Sequence, residues 1–281
     1  MKEGNKFSLL ICLILFACNK DHTSAYSDEA YRGVKSISYN SVSVDLIVEK
    51  PKGKSFDVLL VFHGTVRHDS LILQAANNIL EQFKNIITRE GIIIVSVAYP
   101  EENILFGDNI VHCEAALLWV KNRAANELGV KINKIFLAGH SQGAYLVTRL
   151  NTMHQTDGVV ANAPGPLNLV FRCQLEERGL ISKEMECTLL YNKYGATSSN
   201  ENEYFKRSLL NFTKGFKSDI LFIQGLDDGP IHMHSWEVFK QQVIDCNDCR
   251  DRQFLELPGF GHAALFYSQE AKIIFNQFIS R

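Results

Sequence analysis

The chain has 281 residues, of which 46% are hydrophobic and 21% are charged, and its formal net charge is −2. This length and composition allow one large domain with a substantial core, or two small domains. The balanced charge offers no basic surface for a polyanion, which argues against a nucleic-acid-binding protein.

The N-terminus has the pattern of a secretory signal peptide. Residues 1–6 form a short, basic-leaning segment, and Phe7–Ala17 is an apolar run that is too short to span a bilayer. We therefore expect residues 1–17 to be removed and the mature protein to be exported.

The end of this run, Leu15–Cys18, resembles the bacterial lipoprotein signal. The resemblance implies that Cys18 is lipidated and anchors the protein to a membrane of the bacterial cell envelope. Cleavage of an ordinary secretory signal near the same position is the alternative. Because the residues that follow are polar and lack periodicity, residues 18–35 are predicted to be a tether.

Beyond the tether, segments with strand and helix patterns alternate. Two stretches in which apolar and polar residues alternate predict half-exposed antiparallel edge strands, at 36–39 and 42–48. Short apolar runs predict buried strands at 57–62, 92–98, 134–138, 157–163, 219–224 and 253–257. Helical patterns fall at 70–88, 109–128, 144–150 and 232–244, and in a last helix that ends at Ile279.

This alternation predicts an α/β fold with a mostly parallel, twisted sheet that is covered by helices on both faces. Residues 167–216 interrupt the rhythm with mixed, charged sequence. We interpret them as a cap inserted into one domain that spans residues 36–281, because an insertion into a strand-helix alternation is more typical of a cap than of a second domain.

The cysteines are interpreted for an exported chain, in which disulfides persist. Cys246 and Cys249 are predicted to form a local disulfide, since zinc binding would need two further ligands and a redox motif would open a helix. Cys173 and Cys187 are placed to bridge within the insertion. Cys113 remains and is expected to be a buried free thiol on a helix.

The segment Gly139–Gly143 fits the pattern G-x-S-x-G and lies between a predicted buried strand and a predicted helix. A serine on so sharp a turn is pushed out of the sheet with its hydroxyl exposed. Glycines are needed on both sides because a Cβ atom would clash there. Ser141 is therefore the candidate nucleophile.

Other buried strands also end in residues that can do chemistry. These residues are His63-Gly64-Thr65 after the strand at 57–62, Asp227 and Asp228 after 219–224, and His262 after 253–257. The carboxyl ends of parallel strands meet at one edge of the sheet. A serine nucleophile needs a base such as histidine, and a carboxylate orients that histidine.

On these motifs the chain resembles the α/β-hydrolase superfamily over residues 36–281, with a likeness to its serine esterase and prolyl-oligopeptidase-like branches. The resemblance implies a triad of Ser141, His262 and Asp228. Asp228 is preferred to Asp227 because members of the superfamily carry the acid in a G-x-x-D pattern. The backbone N–H groups of Thr65 and Gln142 are the implied oxyanion hole, and helix geometry supports Gln142.

The remaining histidines receive structural interpretations. His63 is expected to hydrogen-bond within its loop, and His140 is expected to pack behind the nucleophile turn. His232 and His234, two apart on a helix, suit a surface or cap-facing position and not a metal pair. Asp227 is expected to cap the following helix. Nothing in the sequence calls for a metal or a cofactor.

Three functions are consistent with these patterns. The first is a serine hydrolase that cleaves small carboxylic esters through an acyl-enzyme on Ser141. The second is a serine peptidase of the prolyl-oligopeptidase-like type that uses the same triad on short peptides. The third is an inactive surface lipoprotein that keeps the scaffold for binding.

Overall fold

The structure is a computed structural model, and it describes residues 28–281. The proposed signal peptide, residues 1–17, and the proposed lipidation site, Cys18, lie outside the described residues. The strands are β1 Tyr31–Tyr39, β2 Val42–Lys50, β3 Ser55–Phe62, β4 Ile92–Ala98, β5 Lys131–His140, β6 Gly158–Asn162, β7 Ile220–Gly225 and β8 Arg252–Leu257.

These eight strands form a single sheet in the order β1-β2-β4-β3-β5-β6-β7-β8. The pairs β1–β2 and β2–β4 are antiparallel, and the other neighbours are parallel. The predicted α/β class, with a mostly parallel sheet and antiparallel strands at one edge, is therefore confirmed.

The predicted tether extends too far along the chain. Strand β1 begins at Tyr31, which pairs with Lys50, so residues 31–35 belong to the sheet. The side chains of β1 are mostly exposed because this strand lies at the edge of the sheet. An edge strand does not need the apolar run that marks a central strand, and its N-terminal half therefore has the composition of a tether.

Helices connect the strands and cover the sheet. They are α1 Ile72–Lys84, α2 Ile110–Asn122, α3 Ala124–Leu128, α4 Gln142–Met153, α5 Leu169–Glu177, α6 Met185–Tyr194, α7 Thr197–Phe205, α8 Pro230–Met233, α9 Trp236–Ile244, α10 Ala264–Tyr267 and α11 Gln269–Ile279.

The central strands contribute side chains to two separate apolar layers, one on each face of the sheet. In β3, Leu60 packs into the layer that contains α2, α4 and α9, whereas Leu59 and Val61 pack into the layer with α1 and α11. A strand that is buried on both faces needs a continuous apolar sequence, which is why these runs are recognisable in the chain.

Three α-helices, α5 to α7, and a short 3-10 helix at Leu209–Asn211 lie between β6 and β7, within the predicted insertion 167–216. The two ends of this insertion are hydrogen-bonded to each other. Leu209 N donates to Pro166 O at 3.2 Å, and Leu210 N donates to Leu167 O at 3.1 Å. We call this pair of bonds the neck of the insertion.

The cysteines are arranged as the sequence predicts. A disulfide joins Cys173 in α5 to Cys187 in α6, and a second joins Cys246 to Cys249 just before β8. Cys113 is a buried free thiol in α2. Among residues 28–281, no helix combines the length and apolar character that crossing a bilayer requires.

Candidate active site

Ser141 occupies the turn between β5 and α4 with a strained backbone. Its φ and ψ are 58° and −119°. Residues other than glycine rarely adopt this backbone conformation, which costs about 1–3 kcal/mol. Backbone hydrogen bonds hold the turn in place. Ser141 N donates to Asn162 O at 3.0 Å, and Gly165 N donates to Ser141 O at 3.3 Å.

The glycines on either side allow the close backbone contacts that the turn requires. A Cβ atom on Gly139 would lie 2.2 Å from the carbonyl group of Gly143, and one on Gly143 would lie 2.2 Å from Phe62 O. The observed turn therefore requires glycine at both positions, because a Cβ atom at either one would clash with the backbone.

His262 follows β8 and hydrogen-bonds to the carboxylate that follows β7. Its Nδ1 lies 2.8 Å from Asp228 Oδ2. The Asp228 side chain is 3% exposed and that of His262 is 33% exposed. Asp227, in contrast, is exposed, and α8 starts with Gly229 as its N-cap and without a side-chain cap. The expectation that Asp227 caps this helix is wrong.

Asp228 receives two further hydrogen bonds that keep it ionised. Gly229 N donates to Oδ1 at 2.7 Å, and the buried Gln224 donates from Nε2 to Oδ2 at 3.2 Å. Burial by itself would raise the pKa of Asp228. The hydrogen bond from His262, the charges of His232 and His262, and the Gly229 N–H outweigh it and lower that pKa.

The strand ends that carry these residues are in direct contact. A Cβ atom on Gly225, at the end of β7, would lie 2.2 Å from Gly261 O in the His262 loop. The ring of His140, which precedes Ser141, is 4.8 Å from the ring of His262. Among residues 28–281, the Ser141 hydroxyl and His262 Nε2 make no hydrogen bond, which is common before substrate binds.

His140 packs behind the turn, as the sequence predicts. Its Nδ1 accepts a hydrogen bond from Asn162 Nδ2 at 2.8 Å, which leaves the proton of the neutral ring on Nε2. Burial, together with the neighbouring His262, lowers the pKa of His140 to about 3. The ring is therefore uncharged around neutral pH.

His232 is a residue of the site that the sequence did not predict. It does not lie on the surface. Its ring, which α8 carries, packs 4.3 Å from the ring of His262. Burial, followed by the charge of His262, lowers the pKa of His232 to about 4. His234 does face the insertion, where its ring stacks on Phe171 at 3.4 Å. Spacing along the chain gave no signal for His232, since its position depends on how the short helix α8 is turned.

The residues expected to form the oxyanion hole lie next to Ser141. Gln142 is the first residue of α4, so its backbone N–H has no intrahelical acceptor. Thr65 Oγ1 donates to Gln142 Oε1 at 2.8 Å and ties the loop after β3 to this helix. A Cβ atom on Gly64 would lie 3.3 Å from Ser141 Cβ, which shows how closely the loop approaches the serine.

His63 has the structural place that was predicted for it. Its Nδ1 lies 2.7 Å from Gly64 O, and its ring stacks on Tyr99 at 4.0 Å. Burial lowers the pKa of His63 to about 4, so this ring is neutral as well.

Within residues 28–281, two groups of side chains have the composition of a metal site. One potential ligand atom from each of Asp228, His232 and His262 lies within 4.8 Å of the others, but Asp228 and His262 are already bonded to each other. The second group is Cys246, Asp248 and Cys249, and its cysteines form a disulfide that leaves no thiolate ligand.

The strand order of the sheet is that of an α/β-hydrolase, and so is the placement of Ser141, Asp228 and His262 after β5, β7 and β8. A sequence profile of the family described as alpha/beta hydrolase fold matches residues 59–209. This match covers more than half of the chain, which therefore belongs to that family. A search of curated protein sequences gives no match.

Solved structures with the same fold include esterases and a peptidase. An esterase from Rhizomucor miehei is 16% identical with a TM-score of 0.65, over 90% of this chain and 83% of its own. The Pyrobaculum calidifontis esterase is 16% identical with a TM-score of 0.64, over 92% and 86%. The Pyrococcus horikoshii acylaminoacyl peptidase is 14% identical with a TM-score of 0.62, over 90% and 42%. At these identities the likeness shows the fold.

Proposed function

We propose that the protein is a serine hydrolase that cleaves carboxylic esters, with Ser141, His262 and Asp228 as its catalytic triad. The observation that carries this proposal is the 2.8 Å bond between His262 Nδ1 and Asp228 Oδ2, placed beside the strained turn of Ser141. The esterases among the structures of the same fold support it.

In the proposed reaction, Ser141 Oγ attacks the ester carbonyl carbon while His262 Nε2 takes its proton. Nε2 is free for this role because Nδ1 is bonded to Asp228, which stabilises the imidazolium that forms. The N–H groups of Gln142 and Thr65 stabilise the oxyanion. His262 then returns the proton to the departing alcohol, and water cleaves the acyl-enzyme by the same steps in reverse.

The Ser141→Ala variant tests this assignment. We expect kcat/KM for p-nitrophenyl acetate to fall by at least about 10³-fold, because no other hydroxyl replaces the nucleophile. The circular dichroism spectrum and the urea midpoint should stay unchanged, and labelling by a fluorophosphonate probe should disappear. Full activity in this variant would refute the triad. A wild-type protein that remains unlabelled would favour the inactive binding lipoprotein.

A serine peptidase is the second candidate, and the acylaminoacyl peptidase of the same fold favours it. This chain spans 42% of that peptidase. Ester and amide bonds are cleaved by the same triad, so substrates must separate the two functions. A comparison of kcat/KM for matched acyl esters and short peptides decides, with the Ser141→Ala variant as the blank.

We also propose that the protein is exported to the bacterial cell envelope and anchored through a lipid on Cys18. Two disulfides support export, because disulfides persist in oxidising compartments and are rare in the cytosol.

A further inference from the structure

The loop after β3, which carries Thr65, is joined to the loop after β4 by a carboxyl group. Glu101 Oε2 accepts a hydrogen bond from Val66 N at 2.6 Å, one residue beyond Thr65. Both partners are buried, since Val66 is 8% exposed and Glu101 is 5% exposed. Because a buried N–H group needs an acceptor, this bond fixes the direction of the Val66 N–H.

The segment around Glu101 is itself anchored to both ends of the same loop. At the far end, Asp69 Oδ1 accepts from Glu101 N at 2.9 Å and from Glu102 N at 3.0 Å. Glu102 Oε2 accepts in return from Asp69 N at 3.1 Å. At the near end, Tyr99 Oη donates to His63 O. The loop after β4 therefore holds the loop after β3 at its beginning, its centre and its end.

Thr65, between these fixed points, keeps an unpaired backbone N–H. Its hydroxyl donates to Gln142 Oε1 at 2.8 Å, which fixes its side chain. The planar peptide unit that joins it to Val66 is fixed by Glu101. Within residues 28–281, Thr65 N donates to no acceptor, and the residue is exposed. The N–H expected to bind the oxyanion is therefore open to a ligand, and the peptide beside it is held in place.

The protonation state of Glu101 matters because of its position. Glu101 and Gln142 line the same small cavity, so the carboxyl group lies close to the place where negative charge would develop. Burial, with the charges of Glu186 and Asp69, raises the pKa of Glu101 to about 8 against the opposing effect of the backbone hydrogen bond. At neutral pH the group therefore holds the loop without placing a negative charge beside the oxyanion.

We propose that Glu101 is a positioning residue of the oxyanion hole, which aims the Thr65 N–H at the substrate by holding the adjacent Val66 peptide. Without this acceptor, the Val66 N–H would turn toward another partner. The Thr65 N–H would turn with it, because the two peptide units share the Thr65 Cα atom. A displacement of about 1 Å is enough to slow a reaction about 10²-fold. The inference rests on the proposed hydrolase and adds a residue to its machinery.

Two variants that differ in the acceptor at position 101 test the proposal, with p-nitrophenyl acetate as the substrate. Glu101→Met removes the acceptor and keeps the length of the side chain, and we expect kcat to fall about 10- to 100-fold with KM nearly unchanged. Glu101→Gln keeps a carbonyl oxygen for Val66 N, and its kcat should stay within about threefold of the wild-type value. Glu203→Met, which removes a half-buried carboxylate of α7, is the matched control and should keep the wild-type kcat.

Phenylboronic acid measures the oxyanion hole without turnover, because its adduct with Ser141 places an oxygen where the oxyanion would form. Its inhibition constant should rise in Glu101→Met in proportion to the fall in kcat, and Glu101→Gln should restore it. A residue that only stabilised the fold would change the Tm and leave both kinetic constants of the folded protein as they are.

Asp69→Ala releases the same loop from a partly exposed position and decides the question if Glu101→Met does not fold. We expect kcat to fall several-fold in Asp69→Ala. Asp69→Asn keeps the Oδ1 acceptor and should retain the wild-type kcat.

A folded Glu101→Met protein with the wild-type kcat and inhibition constant overturns the positioning role, and so does an equal loss of activity in Glu101→Gln. Where Glu101→Met does not fold, an unchanged kcat in Asp69→Ala overturns it. These results leave the proposed hydrolase intact. A wild-type protein without turnover and without fluorophosphonate labelling refutes the hydrolase and, with it, the role of Glu101.

Discussion

His262 lies between two other imidazole rings, those of His140 and His232. Burial lowers the pKa of His140 to about 3 and that of His232 to about 4. Both neighbours are therefore neutral around pH 7. They fix the ring of the proposed base by packing and add no positive charge that would oppose its protonation.

The carboxyl group of Glu101 gives the molecule a pH-dependent stability. Because burial raises its pKa to about 8 from an ordinary value of 4.5, the folded state holds this proton over a pH range in which the unfolded state releases it. The stabilisation is complete below about pH 4.5 and is lost as the pH rises to about 8. The loss is at most about 5 kcal/mol.

The Glu101→Gln variant does not titrate at this position, so its stability relative to the wild type should increase from about pH 5 to about pH 8 and then level off. Urea unfolding at about pH 5, 6.5 and 8 measures the difference between the two proteins. Glu203→Gln, which removes a half-buried carboxylate of α7 that pairs with Lys206, is the control for the loss of a carboxylate. A constant difference across this range would show that Glu101 is ionised in the folded protein.

At the residue scale, local sequence patterns point to the residues of the proposed triad and do not point to the residues that support them. Ser141 and His262 follow from their strand ends, and the preference for Asp228 over Asp227 agrees with the observed hydrogen bond to His262. His232, Gln224 and Glu101 were not predicted. They act through contacts between segments far apart in the chain, and no local pattern records such contacts.

Among the elements, the tight connection between β5 and α4 depends on the absence of side chains at its glycines. Gly143→Ala would place a Cβ atom 2.2 Å from Phe62 O, an atom of the central strand β3 that cannot move aside. We expect this substitution to destabilise the protein by about 3 kcal/mol.

Gly229→Ala is the matched control for this prediction. Gly229 has φ −58°, and a Cβ atom there would have His232 as its nearest neighbour, at 3.9 Å. Urea midpoints of both variants measure the contrast. Equal stability of the two variants would show that the turn after β5 relaxes more easily than its contacts suggest.

The elements that the sequence predicted well are those buried on both faces. The strands β3, β4 and β7 are almost wholly buried, so their apolar runs are continuous and easy to recognise. The predicted start of strand β1, at residue 36, lies too far along the chain, because the exposed residues before it are as polar as those of a loop. The internal arrangement of α5, α6 and α7 could not be derived, since it depends on how short amphipathic helices pack on one another.

At the scale of the whole molecule, the proposed lipid anchor makes a prediction about location. Cys18→Ser should move the protein from the detergent phase to the aqueous phase and abolish labelling by a fatty-acid analogue, because no acyl chain can be attached. Cys12→Ser, a change within the proposed signal peptide, is the control and should leave both unchanged. Continued labelling of Cys18→Ser would show that the lipid is attached elsewhere.

The neck of the insertion has a consequence for how this molecule could have diversified. The two ends of the insertion are adjacent and hydrogen-bonded, so the chain enters and leaves this segment at almost the same point. The helices of the insertion also carry their own disulfide. Such a segment can be lengthened, shortened or exchanged for another by recombination without displacing β6 or β7. For the proposed hydrolase, substrate range and chemistry would then be inherited separately, because the insertion can be exchanged while the strand ends stay as they are.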